Sequence, residues 1–414
     1  MLPWGVPSAA RQIRGSDAGL QRQEGASLPY MAVATHRRTR GRDLVATTPH
    51  SDYPTHVALF LPSLGGGGAE RVMTTLANSL AERRFAVCCV LWDESGPFRS
   101  LLSEKVQVVL LRSKNPLKLV FGFARFLRTY KPEIVISALF VANIIAAIAK
   151  AISRSRTHLI LTEHVPTGTY LHNEPRLLRR LCIPSLMRIT YSLAQDVVAV
   201  SQGAAQSLAA TVGKNTSKRI KIIYNPIDLV RIERMAAAQD TNVASNVPTI
   251  LNVGRLIEQK DQQTLIRAFA KVRSHRICQL VILGEGEKRT TLAALAERLG
   301  VRSDVLMPGF VANPYSWMKK STVFVLSSQF EGLPTVLIEA MQCGVPVISA
   351  DCPSGPAEIL EYGQWGKLFA PGDVDALACA IEDALDGKLV ADVRQRAADF
   401  SIDTALSQYV ALFP

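Results

Sequence analysis

The sequence predicts an α/β protein built from two Rossmann-like domains of similar size, each a parallel sheet covered on both faces, set against one another across a cleft. Two observations carry this expectation. Short β-branched runs alternate with helical stretches through residues 56–225, and after a polar pause a second such series begins at Thr249. In addition, 414 residues with 48% apolar content are enough for more than one hydrophobic core.

Taken in order, residues 1–54 are rich in Arg, Ser, Gly, Pro and Thr without apolar periodicity; they are expected to form a disordered extension, with Met31 an alternative start. The first domain is expected over 55–228. HVALFLP opens it, followed by a helix from Ala69; then come FAVCCVLW, VQVVLL with a helix over 116–130, IVISAL with a helix over 141–152, HLILTEH, DVVAVS and KIIYNP. The uncharged stretch from Ile134 to Ala149 is short for a membrane span and contains Ser137 and Asn143, so it reads as a buried strand followed by a buried helix. VASNVP marks a linker over 229–247. The second domain, 248–398, runs TILNVGR, helix 261–274, QLVILGEG, helix 287–299, DVLMPGF, TVFVLSS, helix 334–342, VPVISAD, KLFAPG and helix 374–386. A last helix within 399–414 is expected to return toward the first domain.

The net charge of +12 is uneven: +3 over residues 1–55, +13 over 56–225 and −4 over 226–414. The first domain therefore suits an anionic partner, whether nucleic acid, membrane or phosphorylated substrate. The cations lack interleaved aromatics and no helix-turn-helix or zinc pattern occurs, which disfavours nucleic acid. Seven cysteines, none in CxxC spacing, read as reduced core thiols, and the N-terminus lacks the apolar stretch of a secretory signal. A cytoplasmic protein is expected. Asp373–Asp375 imitates a DxD metal motif, but its place after Pro-Gly and before ALACAIEDAL reads as helix capping; no metal or cofactor is expected.

In open α/β sheets, ligands gather beyond the carboxyl ends of the strands. There, FEGLPTVLIEAMQCG places Glu331 before a turn and Glu339 along the following helix, with Pro334 in a position suited to the first turn. The amides around Gly332, Leu333, Pro334, Thr335 and Val336 would then face an anion such as phosphate. NVGRLIEQKD places Arg255 and Lys260 on another such loop, a fork and a point charge able to grip a diphosphate. Taken alone, each pattern is equally a set of solvated surface charges. LPSLGGGGAERV supplies glycines Gly65–Gly68, which allow backbone to approach an anion; the absence of GK[ST] disfavours a nucleotide-triphosphate loop.

In combination, GRLIEQK, LVILGEG, GFVANPYSWM, FEGLPTVLIEAM, SGPAEIL and LPSLGGGGAERV resemble, in order and spacing, the retaining glycosyltransferases of family 4, the group 1 glycosyl transferases with the GT-B fold. The similarity covers about 56–412 and extends to bacterial members that elongate polyprenyl-diphosphate-linked oligosaccharides, O-antigen and exopolysaccharide. The resemblance implies that Arg255 and Lys260 hold the donor diphosphate, Glu331 the donor sugar, the amides of 332–336 the phosphates and Glu339 the ribose. It further places Gly284, Gly286, Phe310 and Val311 near the nucleotide base, Gly66 and Gly67 near the diphosphate, and His164 near the donor sugar, with Glu163 the alternative polar group there.

On the acceptor side, Arg176, Arg179, Arg180 and Arg188 are expected on one helical face opposite leucines and isoleucines, with Pro184 able to kink the helix; the same face is also an ordinary solvated surface. KNPLKLVFGFARFLRTYK adds a second basic stretch. The expected activity is transfer of an N-acetylhexosamine or hexose from a UDP-sugar donor to a polyprenyl-diphosphate glycan, by a protein peripheral to the anionic inner face of the cell membrane. The alternatives are a soluble acceptor, a sugar-nucleotide epimerase, or a non-catalytic sugar-nucleotide- or nucleic-acid-binding protein.

Overall fold

The computed structural model describes residues 55–65, 67–168, 177–238, 247–389 and 392–414. The expected disordered extension, Gly66, Arg176 and much of the expected linker lie outside them. The apolar runs pair as two wholly parallel sheets. In the first, β1 (His56–Leu61), β2 (Ala86–Leu91), β3 (Gln107–Leu110), β4 (Ile134–Ala138), β5 (His158–Glu163), β6 (Asp196–Ala199) and β7 (Ile220–Ile222) take the order β3-β2-β1-β4-β5-β6-β7. In the second, β8 (Thr249–Val253), β9 (Gln279–Leu283), β10 (Val305–Gly309), β11 (Val323–Leu326), β12 (Val347–Ala350) and β13 (Lys367–Phe369) take the order β10-β9-β8-β11-β12-β13. Strand order therefore reverses between β1 and β4 in one sheet and between β8 and β11 in the other. Crevices open at the carboxyl ends of those strands.

Helices cover both faces, as parallel strands buried on both sides require. In the first domain these are α1 (Gly68–Glu82), α2 (Pro116–Tyr130), α3 (Phe140–Ser153), α4 (Leu177–Tyr191) and α5 (Gln202–Thr211). Asn115 caps α2 by accepting from Leu117 and Lys118 N, and Pro116 fits its first turn. The apolar sides of α2, α3 and α4 meet on one sheet face around Phe60, Phe123, Ala146 and Tyr191. The Phe60 and Phe123 rings stack there at 4.0 Å between centroids.

Leu229–Ala236, expected as linker, is instead a helix, α6. Asp228 caps it by accepting from Arg231 N at 2.9 Å, and Ile232 and Ala236 bury themselves in the second domain. The spacing of those apolar residues is helical, and a compositional reading gave it too little weight. The second domain continues with α7 (Gln262–Arg273), α8 (Arg289–Arg298), α9 (Tyr315–Lys320), α10 (Thr335–Gln342), α11 (Pro356–Ile359), α12 (Val374–Leu385) and α13 (Val393–Ala397). Asp373 caps α12 by accepting from Ala376 N at 2.9 Å, the role its sequence position suggests. The last helix, α14 (Ile402–Val410), returns to the first domain, where Ala405, Leu406 and Tyr409 join the core beside Leu76 and Val57. The two crossings between domains lie side by side, since Ile227 N donates to Phe400 O and Ile402 N to Ile227 O.

Candidate functional site

The loops that leave β8 and β11 are bound to each other before any ligand is considered. Ser327 Oγ donates to Lys260 O at 2.9 Å, Gln259 Nε2 to Phe330 O at 2.8 Å, and Gln329 N to Gln259 O at 2.8 Å. These bonds bring Lys260 to Glu331, with Nζ 2.5 Å from Oε1, which also accepts from Ser328 Oγ at 2.7 Å. Glu331 is buried, so a cation and a hydroxyl donor offset the cost of its charge. Arg255, on the same loop, is exposed and makes no ion pair among the described residues.

Past Glu331 the chain passes through Gly332, where a Cβ would collide with the carbonyl oxygen of His164 on the first domain. Glycine is required here by close approach of the two domains. The next residues, Leu333 and Pro334, lead into α10, whose start at Thr335 and Val336 carries no side-chain cap. The positive end of a helix dipole is therefore left facing the crevice beside Lys260 and Glu331. Further along α10, Glu339 is buried and pairs with Arg71 of α1 at 3.5 Å; Arg71 also donates to the hydroxyl of Tyr315.

The glycines of the GEG loop serve the fold directly. A Cβ on Gly284 would meet Gly254 O, and one on Gly286 would meet Leu256 O, so both let this loop press on the Arg255 loop. Nearby Phe310 is exposed and Val311 packs on the second core. On the first domain, Gly67 is the N-cap of α1, which places the glycine run at the carboxyl end of β1.

His164 and Glu163, adjacent in sequence, face different surroundings. Thr162 Oγ1 donates its single proton to Ser137 O at 2.9 Å, so it accepts at 3.1 Å from His164 Nε2. Nδ1 is then the unprotonated nitrogen, buried and without a well-formed hydrogen bond. Burial pulls the ring's pKa down to about 4, with Asn225 offsetting part of the shift, so the imidazole is neutral near neutrality. Glu163, offered by the sequence as an alternative cleft group, turns into the core, where it accepts from the Tyr191 hydroxyl and from Asn143 Nδ2 at 2.9 Å. Burial raises its pKa to about 7, against the pull of those two donors.

These neighbours impose opposite pH dependences. The fold favours protonated Glu163, whose contribution is complete below the ordinary carboxyl value of 4.5 and is lost as pH rises through about 7. The fold also favours neutral His164, whose contribution is present above 6.5 and is lost as pH falls toward about 4. Between 4.5 and 6.5 the two trends cancel in part. Glu163→Gln is expected to remove one of them, so that Tm climbs from pH 5 to 7 more steeply than in the unaltered protein, by several degrees. A profile unchanged by the substitution would contradict the protonated carboxyl.

The arginine face is reorganised. Arg176 lies outside the described residues, as does the side chain of Arg179. Arg180 is exposed near the start of α4. Arg188 stands roughly 12 Å further along the axis and donates to Thr211 O at 3.0 Å, so it belongs to the packing of α4 on α5. Among the described side chains, Ile183 packs on the core while Leu181 and Ile189 are 64% and 66% exposed, because Met187, Thr190 and Tyr191 take the buried side. Tyr191 fixes that rotation through its bond to Glu163. The helix runs on through Pro184 without a break. Among the described residues, no helix is long and apolar enough to cross a membrane.

Arg71, Tyr315, Tyr191 and Asn143 are not picked out by residue chemistry in the sequence. For Arg71 a signal existed, since it lies three residues past the glycine run in GGGGAERV.

Comparison with known proteins places these features in context. Residues 66–231 match the family described as Glycosyltransferase Family 4, and residues 234–400 match Glycosyl transferases group 1. A relative from Campylobacter jejuni, N-acetylgalactosamine-N,N'-diacetylbacillosaminyl-diphospho-undecaprenol 4-alpha-N-acetylgalactosaminyltransferase, is 31% identical over 80% of this chain and 90% of its own. The Salmonella typhimurium lipopolysaccharide 1,6-galactosyltransferase is 27% identical over 78% of this chain and 88% of its own. Among solved structures, Anabaena HepE in complex with UDP and glucose superposes with a TM-score of 0.72 at 21% identity, covering 86% of this chain and 99% of that one.

Proposed function

The chain belongs to glycosyltransferase family 4, the group 1 glycosyl transferases with the GT-B fold, and from that premise we propose that it moves an N-acetylhexosamine or hexose from a UDP-sugar to a polyprenyl-diphosphate-linked glycan, with anomeric retention and without a metal. The observation that carries this reading is the Lys260–Glu331 pair beside the uncapped start of α10, at the crevice where the second sheet reverses its order. Arg255, Lys260 and the helix start supply positive charge where a leaving nucleoside diphosphate gathers negative charge, the task a metal performs elsewhere. Glu331 reads hydroxyls of the donor sugar, His164 stands near that sugar from the first domain, and Glu339 takes the ribose diol. Retention fits a cleft in which, among the described residues, Glu331 is held by Lys260 and Ser328 and Glu163 turns inward. Same-face displacement then relies on positioning and on the leaving phosphate as the base for the acceptor hydroxyl.

The named relative from Campylobacter jejuni supports a lipid-linked acceptor, and the first domain offers a surface for one. On the layer formed by α2, α3 and α4, Leu117 and Phe121 are 70% and 63% exposed, beside Lys118 and Arg125, and Leu181 and Ile189 of α4 are exposed near Arg180. Apolar tips among cations suit the boundary of an anionic membrane at the cytoplasmic face. Replacing Phe121, Leu181 and Ile189 together with Ser is expected to lower co-sedimentation with phosphatidylglycerol vesicles at least tenfold, since each buried apolar side chain contributes about 1.5–3 kcal/mol. Equal sedimentation of both proteins would remove the membrane from the proposal.

The whole reading is tested by offering UDP-sugars and GDP-sugars, with and without chelator, together with a short polyprenyl-diphosphate glycan. Transfer from a UDP-sugar that survives chelation is expected. Consumption of no UDP-sugar, or transfer only to acceptors lacking the lipid diphosphate, would overturn it.

A further inference from the structure

Arg71 stands in the first turn of α1, three residues past the last glycine of the run, yet its charged end lies on the second domain. Nη1 is 3.5 Å from Glu339 Oε1, Nη2 donates to the Tyr315 hydroxyl, and the guanidinium lies 5.8 Å from the centre of that ring. The Glu339 side chain is 6% exposed, and Arg71 is its one ion-pair partner among the described residues. A shallow open cleft borders the pair, lined also by Thr75, Arg231 and Thr335. The Arg71–Glu339 contact therefore lies at the edge of the cleft between the domains.

A carboxylate buried this deeply is costly to leave without a polar partner. In the empty cleft Arg71 is that partner, from the opposite domain. At 3.5 Å the contact is a loose ion pair that leaves the carboxylate's lone pairs open to shorter bonds. A ribose diol brings two hydroxyl donors and satisfies the same oxygens at hydrogen-bond distance. Arg71 is about one third exposed on a long side chain, so it can withdraw without disturbing α1.

We propose that Arg71 is a positioning residue of the donor site: it holds the Glu339 side chain in place at the cleft in the empty enzyme, and gives it up to the ribose diol when the nucleotide enters. The proposal rests on the reading of Glu339 as the ribose contact. It makes nucleotide binding a competition in which the diol must displace a cation, and it couples donor occupancy to a tie between the two domains.

The test measures binding of UDP and of 2′-deoxy-UDP to the full chain by calorimetry, for the unaltered protein, Arg71→Ala and Arg71→Gln. If Arg71 competes with the ribose, both variants bind UDP threefold to tenfold more tightly, and the preference for UDP over its deoxy analogue widens. A merely structural role would leave that preference unmoved. Equal weakening of both ligands would place Arg71 on the phosphates, and an unchanged preference would show that it does not act through Glu339; either overturns the proposal. Should Arg71→Ala fail to fold, Arg71→Gln, which keeps a donor toward Tyr315, carries the same comparison. If the unaltered protein binds neither UDP nor GDP, the nucleotide reading itself fails, and the Arg71 proposal with it.

Discussion

Lys260→Ala is expected to lower kcat for sugar transfer by about 10²–10³-fold while changing donor affinity by less than tenfold. The ammonium is already held at the crevice, 2.5 Å from Glu331, in a part-buried setting where a fixed charge acts strongly on a developing one. Negative charge on the departing diphosphate is greatest in the transition state, so the loss falls on turnover more than on binding. Arg255→Ala is expected to act in the same direction but less severely, because Arg255 is exposed and its field is weakened by water. Removing Lys260 also leaves Glu331 with Ser328 alone, so a thermal-unfolding profile must accompany the kinetics. Near-normal kcat in both variants would remove these cations from the chemistry.

Gly332→Ala is expected to reduce transfer by more than a hundredfold with each domain still folded. The added Cβ has nowhere to go, since it meets the backbone carbonyl of His164 rather than a movable side chain. The domains must part or the FEGLP loop must shift, and either motion separates His164 from Lys260 and Glu331. Displacement of about 1 Å at a reacting centre is worth about 10²-fold in rate. Circular dichroism should be unaltered, while small-angle scattering should report a more open particle or the kinetics a large loss in kcat. Wild-type turnover by this variant would show that the approach of the two domains at this point does not matter to catalysis.

Both expectations depend on knowing which charged groups meet, and residue patterns alone left that open. Arg255, Lys260, Glu331 and Glu339 were legible because each lies at the carboxyl end of a readable strand or just beyond it. Their pairing was not. Lys260 and Glu331 are 71 residues apart and Arg71 and Tyr315 are 244 apart, and no periodicity spans such distances. Likewise, the cations of α4 were visible as a spacing, but the rotation that exposes Leu181 and Ile189 follows from Tyr191 seeking Glu163, a bond between a helix and a strand end. Leu229–Ala236 was missed for another reason: a polar, proline-bearing stretch beside it masked a short apolar repeat whose partners lie elsewhere in the second domain.

Local periodicity and burial on both faces dictate the alternation of strands and helices, the two parallel sheets and the loops in which chemistry should be sought, so these were already legible in the residues. That Glu163 is a core acid, that Gly332 is a point of contact between domains and that Arg71 reaches Glu339 emerge only once the chain is folded. These are properties of surfaces brought together by sheet order and by the two adjacent chain crossings at Ile227 and Ile402. A buried charge takes the partner that the fold places beside it, and that placement is a global outcome.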